Sequence, residues 1–222
     1  VCDLRSITDT LAIREALETR VAPGGNVLIV GGGWIGLEVA AAVQKLGAQA
    51  IVVEALDRLC ARVLSSEMSE WILKLHSGHG VDVRLGCGIE GFQGDGVLQG
   101  ATLADGSNVD AALAVVGIGI IPNAELAADA GLEIENGIKV DEFGCTSDAD
   151  IFAAGDVASH PNAVLDHRVR LESWENAQNQ GIATAKTMLG RQEPYGDVPW
   201  FWSDQYDVNL QLIGLPEDWD ET

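Results

Sequence analysis

Three glycines, Gly31, Gly33 and Gly36, lie in the run Gly31-Gly32-Gly33-Trp34-Ile35-Gly36 and make a G-x-G-x-x-G spacing. Each position has a mechanical reason in a turn that cradles a dinucleotide pyrophosphate. Gly31 allows the tight turn, Gly33 lets backbone approach the phosphates, and Gly36 lets the following helix pack on the preceding strand. The helix start then presents backbone N–H groups and a partial positive charge to the phosphates. The motif alone is weak evidence; its surroundings give it weight. An apolar strand-like run, Asn26–Val30, precedes it, and a helical composition follows. A second apolar run, 50–54, ends in Glu54, 18 residues after Gly36. A carboxylate there can accept both ribose hydroxyls of an adenosine and repels a 2′-phosphate, so NAD(H) is expected over NADP(H). The competing reading is a glycine-rich turn with a solvent-facing acid.

The elements that must position these residues follow from periodicity and punctuation. An amphipathic helix is predicted over 8–20, with Leu11, Ile13, Ala16 and Leu17 apolar and Thr8 or Asp9 as its cap, ended by Pro23-Gly24-Gly25. Strands are predicted at 26–30, 50–54 and 81–85, with helices at 36–46 and 66–76 between them. The glycine-rich stretch 86–106 reads as a small antiparallel meander, and 109–118 as a return to a buried strand. Strands alternating with helices indicate an α/β fold with a parallel sheet. Beyond Pro122 come a short helix at 124–130, a hairpin at Asn136-Gly137, and a buried strand at 151–154 ending in Gly155-Asp156. A long helix is predicted at 174–189.

The composition excludes several classes. The 222 residues carry 13 Lys plus Arg against 34 Asp plus Glu, a net charge of −21. That charge argues against nucleic acid and anionic membrane as partners. No apolar run reaches a membrane span of about 18 residues. Cys2, Cys60, Cys87 and Cys145 are scattered with no C-x-x-C pair, which suits reduced thiols in a cytoplasmic protein. His76 and His79 have no third ligand, so no metal site is expected. A G-x-S-x-G nucleophile elbow is absent, and no acid–base pair stands out as catalytic.

Residues 31–41, Gly-Gly-Gly-Trp-Ile-Gly-Leu-Glu-Val-Ala-Ala, resemble the NAD-domain fingerprint of FAD-dependent ferredoxin reductases of P450 and aromatic-ring dioxygenase systems, the putidaredoxin, rhodocoxin and biphenyl-dioxygenase reductase group. Four further segments match in order: Val116-Gly117-Ile118-Gly119-Ile120-Ile121-Pro122-Asn123; Thr146-Ser147-Asp148 through Gly155-Asp156-Val157; Glu172-Ser173-Trp174-Glu175-Asn176-Ala177-Gln178-Asn179-Gln180; and Pro199-Trp200-Phe201-Trp202-Ser203-Asp204-Gln205-Tyr206. The last is the most specific, since disulfide reductases of the same architecture lack it.

The resemblance implies a Rossmann-like NAD-binding domain inserted in an FAD domain, over 1–122. It implies the second FAD segment over 123–195 and the start of a C-terminal α+β domain over 196–222. It also implies that a first FAD segment precedes Val1 and that the chain is an internal fragment. NADH would reduce flavin, and flavin would pass electrons to a ferredoxin-type iron–sulfur protein. An NADH oxidase, another acceptor, or a non-catalytic NAD-binding module are the alternatives.

The same resemblance assigns cofactor contacts. Gly31, Gly33, Trp34, Ile35, Gly36, Glu54, Gly117, Ile118 and Gly119 fall on the NAD side. Gly155 and Asp156 fall on FAD, with Asp156 at the ribitol or, alternatively, capping a turn. Glu38 either lies near the nicotinamide or is an acid favoured by the helix dipole. Trp34 either covers the nicotinamide pocket or fills the sheet edge. Ser173, Trp174, Glu175 and Trp202 are placed beside the flavin and nicotinamide, with ordinary core packing as the alternative for the tryptophans. Glu175 is expected to cap its helix. Arg58 reads as a surface residue or a phosphate contact, and Cys145 has no functional account. A strongly acidic chain is in tension with an acidic ferredoxin, so docking calls for a basic patch that could include Arg168 and Arg170.

Overall fold

A computed structural model describes residues 1–215; the expected C-terminal domain continues through 216–222, outside the described residues. The described chain divides into two compact units. One comprises 1–119 and 203–210, the other 120–202 and 211–215.

The first unit runs β1 (Cys2–Asp3), α1 (Ile7–Arg20), β2 (Asn26–Val30), α2 (Trp34–Lys45), β3 (Gln49–Val53), α3 (Ser66–Gly78), β4 (Asp82–Arg84), β5 (Ile89–Gln93), β6 (Gly100–Leu103), β7 (Asn108–Asp110) and β8 (Leu113–Val116). Five strands form a parallel sheet in the order β1-β8-β2-β3-β4. Its centre is fully enclosed: Val27, Leu28, Ile29, Ala50 and Val52 have no exposed surface. Burial on both faces is why these strands read as continuous apolar runs rather than alternating ones. The antiparallel meander β5-β6-β7 shares a core with the sheet, through Leu28, Ile51, Val53 and Ala114 on one side and Ala101, Leu103 and Val109 on the other.

Three details differ from the sequence reading. The cap of α1 is Ser6, not Thr8 or Asp9; Asp9 is the reciprocal partner that completes a capping box. The run 109–118 is two strands, not one. At the switch the Ala111 N–H donates to the Gln99 carbonyl and the Ala112 N–H to the Asn26 carbonyl. The chain leaves the meander and enters the parallel sheet without surfacing, so hydrophobicity alone shows no break. Strand β1, a short addition to the sheet edge, carried no pattern long enough to read.

The second unit contains α4 (Glu125–Asp129), β9 (Ile138–Lys139), β10 (Ala158–Asn162), β11 (His167–Val169) and α5 (Trp174–Met188). Its sheet is ordered β11-β10-β9, antiparallel then parallel. Asn136 and Gly137 take φ of 49° and 114° and turn the chain between Ile134 and Ile138, as expected of a tight hairpin. The strand expected at 151–154 is not a strand. Phe152 makes a lone bridge to Cys145, and the Ala153 N–H donates to Gly144, closing the segment on its own neighbours. The true strand, β10, follows Gly155-Asp156; its Ser159-His160-Pro161 disguised it. The hairpin β12 (Trp200–Gln205) and β13 (Val208–Ile213) turns through Tyr206. No helix among the described residues is long and apolar enough to cross a membrane.

Candidate dinucleotide site

In the first unit, Val30 is in register with Val53 and Val116, so β2, β3 and β8 end level with one another. The turns leaving them carry the candidate residues, at the carboxyl ends of parallel strands, where such sheets bind ligands. Gly31 has a φ of 109°, and its N–H donates to the Val53 carbonyl at 2.8 Å. A Cβ on Gly31 would lie 2.3 Å from the Gly117 carbonyl oxygen, and one on Gly36 would lie 2.0 Å from that of Gly31. Both glycines are therefore required by the fold itself. Gly33 is different: a Cβ there would meet nothing within 4 Å. Gly33 is the N-cap of α2 and supplies no side-chain cap. An open face before an uncapped helix start suits a closely approaching pyrophosphate.

Glu54 is tied to this turn. The Gly32 N–H donates to one carboxylate oxygen at 2.6 Å and the Leu56 N–H to the other at 2.8 Å. A carboxylate offers about four acceptor positions, so capacity remains for a ribose diol. The acid thus also holds the glycine turn in shape, a role that spacing alone did not reveal. Cys60 lies behind it, its N–H donating to the Gly32 carbonyl. Burial, and secondarily the Glu54 charge, push its thiol up to about 12, which makes it no nucleophile. Gly117 donates its N–H to the Val30 carbonyl at 2.8 Å, Ile118 is exposed, and Gly119 has a φ of 109°. Trp34, half-buried, opens α2. Ile35 and Glu38 line a groove with Leu4, Val39 and Ala42. Arg58 is half-buried rather than a free surface residue: its guanidinium donates to the Ala61 and Leu64 carbonyls and the Ser69 hydroxyl, bracing the loop after Glu54.

In the second unit, Gly155 has a φ of 80°, and its N–H donates to the buried Gln180 amide oxygen at 2.7 Å, anchoring the turn to α5. The Asp156 side chain is exposed, and its carbonyl accepts from Arg170 at 3.0 Å. Ser173 caps α5 by accepting from the Asn176 N–H. Glu175 does not cap the helix; it accepts from Asn179, which also donates to Asp197. Burial, then the Asp197 charge, raises the Glu175 carboxyl above its usual range. Trp174 is 67% exposed and meets Trp202 edge-on at 6.0 Å, while Trp202 stacks on Trp200 at 5.1 Å. Among the described residues Trp174 is therefore not packed in a core. An exposed carboxylate on a glycine turn and an exposed indole fit a ribitol chain and a flat ring.

The chain belongs to the pyridine nucleotide-disulphide oxidoreductase family, whose model matches residues 1–181; residues 200–222 match the reductase C-terminal family. It is 46% identical over 196 residues to the 5,5'-dehydrodivanillate O-demethylase ferredoxin reductase subunit of Sphingobium sp., covering 87% of this chain and 48% of that protein. It is 45% identical over 202 residues to rhodocoxin reductase of Rhodococcus erythropolis, covering 90% and 47%. Among solved structures, the covalent putidaredoxin reductase–putidaredoxin complex matches with a TM-score of 0.93 at 37% identity, covering 99% of this chain and 52% of the matched one. The chain spans about half the length of the curated relatives it matches.

Proposed function

We propose that this chain is the NADH-binding part, with a portion of the flavin site, of an FAD-dependent reductase that delivers electrons to a ferredoxin-type iron–sulfur protein. The observation that carries the reading is the Gly31-Gly33-Gly36 turn closed by Glu54, with Gly33 alone left open to a ligand. Relatives named as ferredoxin reductases support the choice of acceptor. The domain reading is 1–122 for NAD, 123–195 for FAD and 196–222 for the C-terminal domain. The four free cysteines fit a reducing cytoplasm.

Gly31, Gly33, Trp34, Ile35, Gly36 and Glu54 hold the dinucleotide, flanked by Gly117, Ile118 and Gly119. Gly155, Asp156, Ser173, Trp174, Glu175 and Trp202 attend the flavin. When bound, FAD supplies the conversion of a hydride donor's electron pair into single-electron transfers. The chain's own residues orient the dinucleotide and exclude water; no side chain is required as a proton donor.

The test is NADH-dependent cytochrome c reduction by the complete holoenzyme, with and without an added [2Fe–2S] ferredoxin. A rate that depends on ferredoxin is expected. A rate indifferent to it overturns the acceptor assignment.

A further inference from the structure

Five side chains of the first unit form one hydrogen-bonded file. The Tyr206 hydroxyl meets His76 Nδ1 at 3.1 Å, and His76 Nε2 meets Gln205 Oε1 at 2.7 Å. Gln205 Nε2 donates to Ser203 Oγ at 2.9 Å, and Ser203 Oγ donates to Glu38 Oε1 at 2.6 Å. His76, Ser203 and Gln205 are all buried, so water does not substitute for the three middle members.

The two ends set the direction of every proton. An ionised Glu38 only accepts, so Ser203 must donate to it and must itself accept from Gln205. The Gln205 carbonyl oxygen then faces His76, which places the imidazole proton on Nε2 and leaves Nδ1 to accept from Tyr206. Burial favours the neutral ring, and the Tyr206 hydroxyl is pushed up to about 12, so it remains a donor. Tyr206 is further held by stacking on His79, with ring centroids 3.7 Å apart. The alternative setting flips the Gln205 amide, reverses the three bonds from Tyr206 to Ser203 and puts the proton on His76 Nδ1. In that setting Ser203 donates to Gln205, and Glu38 loses its donor.

We propose that His76, acting through Gln205 and Ser203, is a positioning residue for Glu38, and that its Nε2–H tautomer holds this carboxylate at the groove beside the dinucleotide turn. Glu38 stands on α2 shortly beyond Gly33 and lines that groove with Ile35. An exposed glutamate without a donor samples several rotamers; one accepting a short bond from a buried hydroxyl does not. The adenosine and phosphate ends of the nucleotide are held elsewhere, by Glu54 and the glycine turn. Loss of the file therefore alters how the remaining end is oriented more than how tightly the nucleotide binds. The inference rests on the NADH-binding reading above.

The test uses the complete holoenzyme and its Tyr206→Phe, Ser203→Ala and doubly substituted forms. Three quantities are read: NADH affinity by titration, the rate of flavin reduction in single-turnover mixing, and the His76 tautomer by long-range ¹H–¹⁵N correlation. Ser203→Ala should slow reduction about tenfold, as loss of a bond to a charged group allows, and Tyr206→Phe about threefold, as loss of a neutral bond allows, each with the NADH Kd changed less than about twofold. The double variant should be no slower than Ser203→Ala alone, because both cut one file. His76 should carry its proton on Nε2. Wild-type rates in Tyr206→Phe, multiplicative losses in the double variant, or an Nδ1–H tautomer overturn the proposal. A wild-type protein that binds no NADH would instead overturn the function on which it rests.

Discussion

Gly33 and Gly36 are three residues apart in one motif, and the structure gives them opposite reasons for being glycine. A methyl group on Gly36 would overlap the Gly31 carbonyl, which belongs to the turn backbone and cannot yield cheaply. Gly36→Ala should cost about 2–4 kcal/mol in urea unfolding. Gly33→Ala meets open space and should stay within about 1 kcal/mol of wild type, yet weaken NADH binding at least about tenfold because the methyl stands where the pyrophosphate must pass. Equal stability losses at the two positions would contradict this division. Glu54 grips the glycine turn and, on the proposed function, also accepts the ribose. Glu54→Ala should weaken NADH more than NADPH, since it removes both the ribose acceptor and the charge that repels a 2′-phosphate. An unchanged ratio of the two affinities would count against its place at the ribose.

At the scale of elements, α5 illustrates how a local cap serves a site. Ser173 accepts from the Asn176 N–H and so fixes the first turn, on which Trp174 and Glu175 stand. Ser173→Ala should lower stability by about 1 kcal/mol, and Ser173→Gly by only a few tenths. A flat response to both, read as denaturation midpoints at constant m, would show that tertiary packing rather than the cap orders this turn. The segment before it shows the opposite case. Residues 144–153 close on themselves, so an apolar run that looked like a buried strand is a half-buried loop. The strand that carries the sheet, β10, contains a buried histidine and a proline.

At the scale of the molecule, charge and buried histidines dominate. Arg168 and Arg170 do not supply a free basic patch. Arg168 donates to the Val140 and Ser159 carbonyls, and Arg170 to the Asp156 carbonyl and to Glu172. His160 is buried against Tyr195, and its ring nitrogens have no hydrogen-bond partner among the described residues. Burial, then the nearby Arg168 charge, lowers its pKa below the usual 6.5. The unfolded chain then takes up the proton more readily than the folded one. The stability associated with this group is complete above about pH 6.5 and declines as pH falls through that value toward the lower folded pKa. Between pH 7.5 and 5.5 the His160→Leu variant should lose less stability than wild type, by thermal unfolding at matched salt. Parallel profiles would show that this ring does not contribute to the pH dependence.

The sequence by itself determined the parallel α/β sheet, the glycine turn and its acid, and the order of the segments that resemble the reductase family. These rest on local signals: apolar runs, glycine spacing and an acid at a strand end all act within about 30 residues. Tertiary structure decided what local signals cannot carry. It decided that Glu54 grips the turn it faces, that Arg58 braces a loop, and that 109–118 changes sheets midway. It also brought Glu38, His76 and Ser203 into one hydrogen-bonded file. Those partners lie up to 165 residues apart. A hydrogen bond depends on where two atoms finally stand, and only the packed chain specifies that.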